Sequence, residues 1–161
     1  MTEDVAIKRR PEIRVAAVRH IGPYHGIGEA FTKLDGIVRA AGLARPDSEL
    51  IGIYYDDVRS TPIERLRSDA AISVGASDPI PAGVAEQRLP AGEYAASVHI
   101  GPYEQLGGAW GRLREWLVTS GRQLGNGPSY EVYLNTPMTE RDPKKLKTAL
   151  YLPVTIPNSH S

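Results

Sequence analysis

No cysteine occurs among the 161 residues of the chain. Disulfide staples, thiolate catalysis and cysteine-based metal sites are thereby excluded. An excess of charge of one sign is also missing, since the formal net charge is +0 and the pI about 6.9. Beyond the short tracts Lys8-Arg9-Arg10 and Lys144-Lys145-x-Lys147 there is no cationic run. Direct nucleic-acid binding, which needs a concentrated cationic face to neutralise phosphates, is not expected. No apolar stretch approaches membrane-spanning length, and the acidic start Met1-Thr2-Glu3-Asp4 is no signal peptide. A soluble, cytoplasmic protein without a membrane partner is the expectation.

Familiar catalytic signatures are scarce as well. No Gly-rich strand-to-helix turn of dinucleotide-binding spacing is present, which excludes a Rossmann reading. Neither Gly-x-Ser-x-Gly nor a Ser-His-Asp arrangement occurs, which argues against a serine hydrolase. His20 and His99 lie on separate strands, His25 in a first helical turn and His160 in a tail expected to fray over Pro157–Ser161. They make no convincing metal site, and no cofactor is expected.

What the chain does have is a duplication. His20-Ile21-Gly22-Pro23-Tyr24 returns letter for letter at His99-Ile100-Gly101-Pro102-Tyr103, 79 positions later. The offset holds for some forty residues: Ala17, Gly28, Ala30, Leu34, Gly42 and Tyr54 fall on Ala96, Gly107, Ala109, Leu113, Gly121 and Tyr133, and Phe31 falls on Trp110. Such a chain is one domain over residues 1–161, with repeats at 12–76 and 84–155. Half-size modules would be marginal alone, so a shared sheet and core are expected, with a seam that suits a ligand cleft.

Each repeat reads as strand, helix, strand, strand. Ile13 to His20 has β-branched, alternating character, and Gly22-Pro23 ends it. Ile27, Ala30, Phe31, Leu34, Ile37, Val38 and Ala41 form one apolar helical stripe closed by Gly42. Strands are expected at Leu50–Tyr55 and Ala70–Val74, with a loop from Asp56 to Leu66. In the second copy Val84–Leu89 and Tyr94–His99 look extended around the turn Pro90-Ala91-Gly92-Glu93. A stripe of Leu106, Ala109, Trp110, Leu113, Trp116 and Leu117 follows, then strands at Tyr130–Leu134 and Thr148–Pro153. The fold class is α+β, a largely antiparallel sheet of about eight strands with two long helices.

Glu131 is the most telling position. A carboxylate inside Tyr130-Glu131-Val132-Tyr133-Leu134 has no strand-propensity reason to be there, and its repeat mate is Gly52. Period-2 alternation puts Glu131 and Tyr133 on one face, and Gly52 and Tyr54 on the corresponding face of the other copy. A lone carboxylate among aromatic rings suits an apolar cation, each ring adding about 0.5–2 kcal/mol. The alternative is a Glu131 solvated on an edge strand or paired with an arginine. Tyr24 and Tyr103 either pack on their own helices or flank the cleft; Trp110 and Trp116 belong to the core, or to a pocket at the stripe's edge. Arg67 and Asp69 are expected to form a structural pair or loop brace, and Asp56-Asp57 to end a strand.

In order and spacing, several motifs together resemble the GyrI-like superfamily over roughly residues 5 to 155. They are His-x-Gly-Pro-Tyr at 20–24 and 99–103, Gly52-Ile-Tyr-Tyr-Asp-Asp57, and Thr61-Pro62 with Arg67-Ser-Asp69-Ala. Leu89-Pro-Ala-Gly-Glu-Tyr94 and Tyr130-Glu-Val-Tyr-Leu-Asn135 complete the set. The last resembles the standalone DNA gyrase inhibitor branch. The superfamily also includes effector-binding domains of multidrug-sensing transcription regulators, which carry a helix-turn-helix domain ahead of the module. This chain starts its first strand almost at once, so a standalone member is expected.

The resemblance implies a bowed sheet with a central cleft and Glu131 at its centre, attracting hydrophobic cations. The implied ligand-binding set is Glu131, Tyr133, Tyr54, Tyr24, Tyr103, Trp110, Phe31 and Gly52. It implies a sequestering or sensing module in toxin or drug response. Two alternatives stand beside it: inhibition of DNA gyrase by protein contact, and hydrolysis of cyclopropane-type genotoxic compounds. In the last, Glu131 would act with Tyr24, Tyr103 or Tyr133.

Overall fold

A computed structural model describes residues 4–155; His160 and the expected frayed tail lie outside the described residues. The elements in chain order are β1 (Ala6–Arg10), β2 (Ile13–Ile21), α1 (Gly28–Ala41), β3 (Leu50–Tyr54), β4 (Arg67–Ser73), β5 (Ala85–Leu89), β6 (Gly92–Ile100), α2 (Leu106–Ser120), β7 (Ser129–Tyr133) and β8 (Lys147–Pro153). The class is α+β, with eight strands and two long helices. They divide into two compact units, each with four strands and one helix. The first unit is Glu12–Pro90, and the second joins Met1–Pro11 to Ala91–Ser161.

In the first unit the strand order is β3-β4-β2-β5, every neighbour antiparallel. In the second it is β1-β6-β8-β7, again antiparallel throughout. The 79-residue offset maps β2 onto β6 and β3 onto β7, residue for residue. It also maps β1 onto β5, and here the structure departs from the linear order of the repeats. β5 pairs with β2, while β1 pairs with β6. The stretch Pro90-Ala91-Gly92-Glu93 therefore does not fold β5 back onto β6 as a hairpin; the chain passes from one unit to the other there. Pro11 and Pro90, themselves repeat mates, follow the last residues of β1 and β5. Lacking an N–H, proline cannot continue a ladder, so both leading strands stop at these crossings. Strand β1 escapes the periodicity because Ala-Ile-Lys-Arg-Arg carries one large apolar residue; moving β5 back by the offset would have found it.

Both helices pack one apolar stripe on their own sheet. Ala30, Leu34 and Val38 of α1 are buried with Ala16, Val18, Ala70 and Ile72. Their mates Ala109, Leu113 and Leu117 of α2 are buried with Ala95, Leu150 and Leu152. Gly42 (φ 64°) and Gly121 (φ 77°) close the helices in the left-handed conformation. From the loops that precede β4 and β8 the offset becomes 80, because the second loop holds one extra residue: Gly22 N–H donates to Leu66 O, and Gly101 N–H to Leu146 O, both at 2.8 Å.

Leu113 is completely buried at the centre of its stripe. Leu113→Ala is expected to cost about 2–5 kcal/mol, the transfer term plus the cavity left behind. Val118→Ala, on the exposed side of α2 at 79 % exposure, should leave the urea midpoint nearly unchanged. Equal midpoint shifts in the two variants would contradict this packing.

Candidate functional site

The His-Ile-Gly-Pro-Tyr corners position the helices. His20 Nε2 lies 2.8 Å from Pro23 O, and His99 Nε2 lies 3.1 Å from Pro102 O. A carbonyl only accepts, so in each case the ring must present Nε2–H to it. The intervening glycines adopt φ 123° at Gly22 and 140° at Gly101. A Cβ on Gly101 would also come within 3.0 Å of Gln105 Oε1. Each histidine thus ties a strand end to the start of its helix, and the repeated histidines are explained without a metal. Among the described residues no group of three or more His, Asp or Glu is placed to hold a metal ion.

Downstream of the second corner, α2 carries Trp110 toward the helix-facing side of the sheet. β7 places Glu131 opposite Leu150 of β8, whose side chain packs in the α2 core. Glu131 is 3 % exposed, which removes the reading of a solvated edge carboxylate. Trp110 Nε1–H donates to Glu131 Oε2 at 2.8 Å, and Tyr133 O–H donates to Oε1 at 2.8 Å. Both donors are neutral, and hydrogen bonds to an ionised acceptor contribute roughly 1.5–3 kcal/mol each. Tyr103 meets Tyr133 edge-on, with ring centroids 5.7 Å apart. Burial raises the Tyr103 hydroxyl pKa, and the negative charge of Glu131 raises it further. The second unit thus assembles Glu131, Trp110, Tyr133 and Tyr103 into one cluster.

The corresponding place in the first unit has no acid. Gly52 occupies the Glu131 position, Phe31 the Trp110 position, and Phe31 packs against the apolar core. Tyr24 and Tyr54 meet edge-on at 4.8 Å. The Tyr24 hydroxyl donates to Asp56 O at 2.7 Å and accepts from Asp56 N–H at 3.0 Å. Tyr24 also lines an apolar pocket of about 340 Å³ with Pro23, His25, Val58, Ile63 and Leu66. The eight residues proposed from sequence therefore fall into two sets of four, one in each unit.

Two features were not anticipated. The indole bond to Glu131 is one, and its signal was available: an N–H replaces the phenyl ring of Phe31 only in the copy that has the carboxylate. The other is a polar network in the first unit. Asp69 is 1 % exposed and accepts from Arg19 Nε and from the Tyr55 hydroxyl, each at 2.6 Å. Asp69 therefore pairs with Arg19, which lies directly opposite on β2, and not with Arg67 two residues away. Arg67 instead binds the Asp56 carboxylate through Nε and Nη2. Burial, then the bond to Asp69, pushes the Tyr55 pKa up.

Burial holds the pKa of His99 below its ordinary 6.5. The folded state therefore resists protonating this ring while the unfolded chain accepts it. Stability should fall as pH drops below about 6.5 and level off below the depressed folded value. His99→Gln, which keeps an N–H donor, should flatten that part of the stability–pH curve relative to the unsubstituted protein. An unchanged slope in urea titrations would show that His99 is not the group responsible.

Comparison with known proteins adds identity to this geometry. The family model described as the GyrI-like small molecule binding domain matches residues 3–155. A DNA gyrase inhibitor of Erwinia billingiae is 30% identical over 137 residues, covering 82% of this chain and 86% of its own. The crystal structure of the EcmrR C-terminal domain superposes with a TM-score of 0.82 at 22% identity, covering 94% of this chain and 97% of that one. SAV2435 bound to tetraphenylphosphonium superposes with a TM-score of 0.71 at 11% identity, covering 98% of both chains.

Proposed function

The chain belongs to the GyrI-like small-molecule-binding family, and from that premise we propose that it binds a hydrophobic cation, with Glu131 as the anionic anchor. The observation that carries the reading is the buried Glu131 carboxylate, with one oxygen on Trp110 and the other on Tyr133. Those two bonds orient a negative charge among aromatic rings without supplying a positive charge of their own. A ligand cation gains Coulombic attraction in a poorly solvated setting and ring-face attraction of about 0.5–2 kcal/mol per aromatic. Tyr103 adds a third ring beside the acid. SAV2435, bound to a tetraarylphosphonium, supports the choice of ligand class. The role is binding, as a sequestering or sensing module, with the carboxylate acting as a fixed charge.

The relatives' name supports a second reading, in which the protein acts on DNA gyrase by direct contact. A supercoiling assay decides it: inhibition at stoichiometric excess is the expected result, and none at that excess removes it.

For the ligand site, Glu131→Gln preserves shape and one acceptor oxygen while removing charge. Binding of tetraphenylphosphonium, followed by calorimetry, should weaken roughly tenfold or more, about 1.4 kcal/mol. Neutral triphenylphosphine oxide should be affected little. Equal loss for both would mean that packing, and not charge, recognises the ligand; equal tetraphenylphosphonium affinity in the variant would dispose of the anionic anchor.

A further inference from the structure

The two loops that lead into β4 and β8 have one shape and opposite electrostatic outcomes. In the first unit Asp57 O accepts from Ser60 N–H at 3.2 Å and Thr61 N–H at 3.0 Å. In the second, Thr136 O accepts from Thr139 N–H at 2.9 Å and Glu140 N–H at 2.7 Å. Asp56 Oδ2 takes the N–H of Arg67 at 2.8 Å, and its mate Asn135 takes the N–H of Lys147 through Oδ1 at 2.8 Å. Asn135 also donates through Nδ2 to Lys145 O at 3.0 Å. Both loops are therefore braced at both ends.

Only the first loop neutralises itself. Asp56 pairs with Arg67 and Asp57 with Arg59. In the second loop those acids become Asn135 and Thr136, which keep the backbone bonds and drop the charges. Arg59 becomes Met138, 79 % exposed, and Tyr55 becomes Leu134, 54 % exposed. Arg141, Lys144, Lys145 and Lys147 are all exposed and, among the described residues, form no ion pair. Against these four cations the loop has two acids, Glu140 and Asp142, both engaged in backbone turns: Glu140 Oε2 accepts Asp142 N–H, and Asp142 Oδ1 accepts Lys144 N–H. A solvated loop has no need of an exposed methionine and leucine beside unpaired lysines. Apolar anchors ringed by one sign of charge are the composition of an interface.

We propose that the loop spanning residues 134–147 is a docking surface for an acidic protein segment with apolar side chains. Met138 and Leu134 supply the contact area; Lys144, Lys145, Lys147 and Arg141 supply the steering charge. Two apolar anchors favour a peptide over a phosphate backbone, which would use the cations alone. The inference stands on this loop and does not depend on the ligand site at Glu131.

Fluorescence anisotropy of a labelled peptide of alternating glutamate and leucine, at low ionic strength, tests it. Saturable binding is expected. It should weaken roughly tenfold in Lys144→Glu/Lys145→Glu and in Asn135→Asp/Thr136→Asp, which restores the acids of the other loop. Met138→Ser should weaken it severalfold, and Arg65→Glu on the first loop should not. Circular dichroism establishes that each variant is folded. Absence of saturable binding, wild-type affinity in both charge variants, or tighter binding of duplex DNA or anionic vesicles than of the peptide overturns the proposal.

Discussion

A carboxylate taken out of water must be met by hydrogen-bond donors, or its burial costs more than a small domain can absorb. Glu131 imposes that demand on the second unit. The donors come from two directions, Tyr133 from two residues along the same strand and Trp110 from the helix above. For the indole to reach the acid, α2 must sit in a fixed rotation and translation over β7. Its apolar stripe sets the rotation, and the corner tied by His99 to Pro102 sets the start of the helix. The charge at the centre therefore depends on an ordered series of neutral contacts.

Duplication provided two versions of this arrangement and left only one charged. The first unit keeps the corner, the stripe and the edge-on tyrosines, but Gly52 and Phe31 stand where the acid and the indole would be. Its own charged residues went elsewhere, into the Arg19–Asp69–Tyr55 network on the other face of the sheet. In the second unit the positions of Arg19 and Asp69 are held by Val98 and Ala149. A polar group buried in one copy is thus answered by an apolar group in the other, and each substitution brings its partner with it. Such paired changes follow from the cost of leaving a buried donor or acceptor unmet.

Much of this was legible in the chain. Periodicity found both helices, because Leu34, Val38, Leu113 and Leu117 repeat at helical spacing and Gly42 and Gly121 mark the ends. Alternation put Glu131 and Tyr133 on one face. What stayed hidden depended on partners distant in sequence. Arg67 and Asp69 lie two apart, yet each takes a partner from a different element, since the cross-strand register brings Arg19 opposite Asp69. Strand β1 was missed because edge strands carry charge and need little apolar pattern. The destination of β5 was missed because no local signal says which sheet a strand joins.

That exchange of leading strands changes the chemical topology of the molecule. A tandem duplication joined by one linker comes apart into its two halves with one backbone cleavage. Here the chain passes between the units at Pro11–Glu12 and again at Pro90–Ala91. Cleavage at either passage leaves the other intact, so the units remain covalently joined. Each unit is therefore tethered to the other twice by a single unbranched chain, a degree of mutual confinement that otherwise takes a cross-link, in a protein with no cysteine to make one.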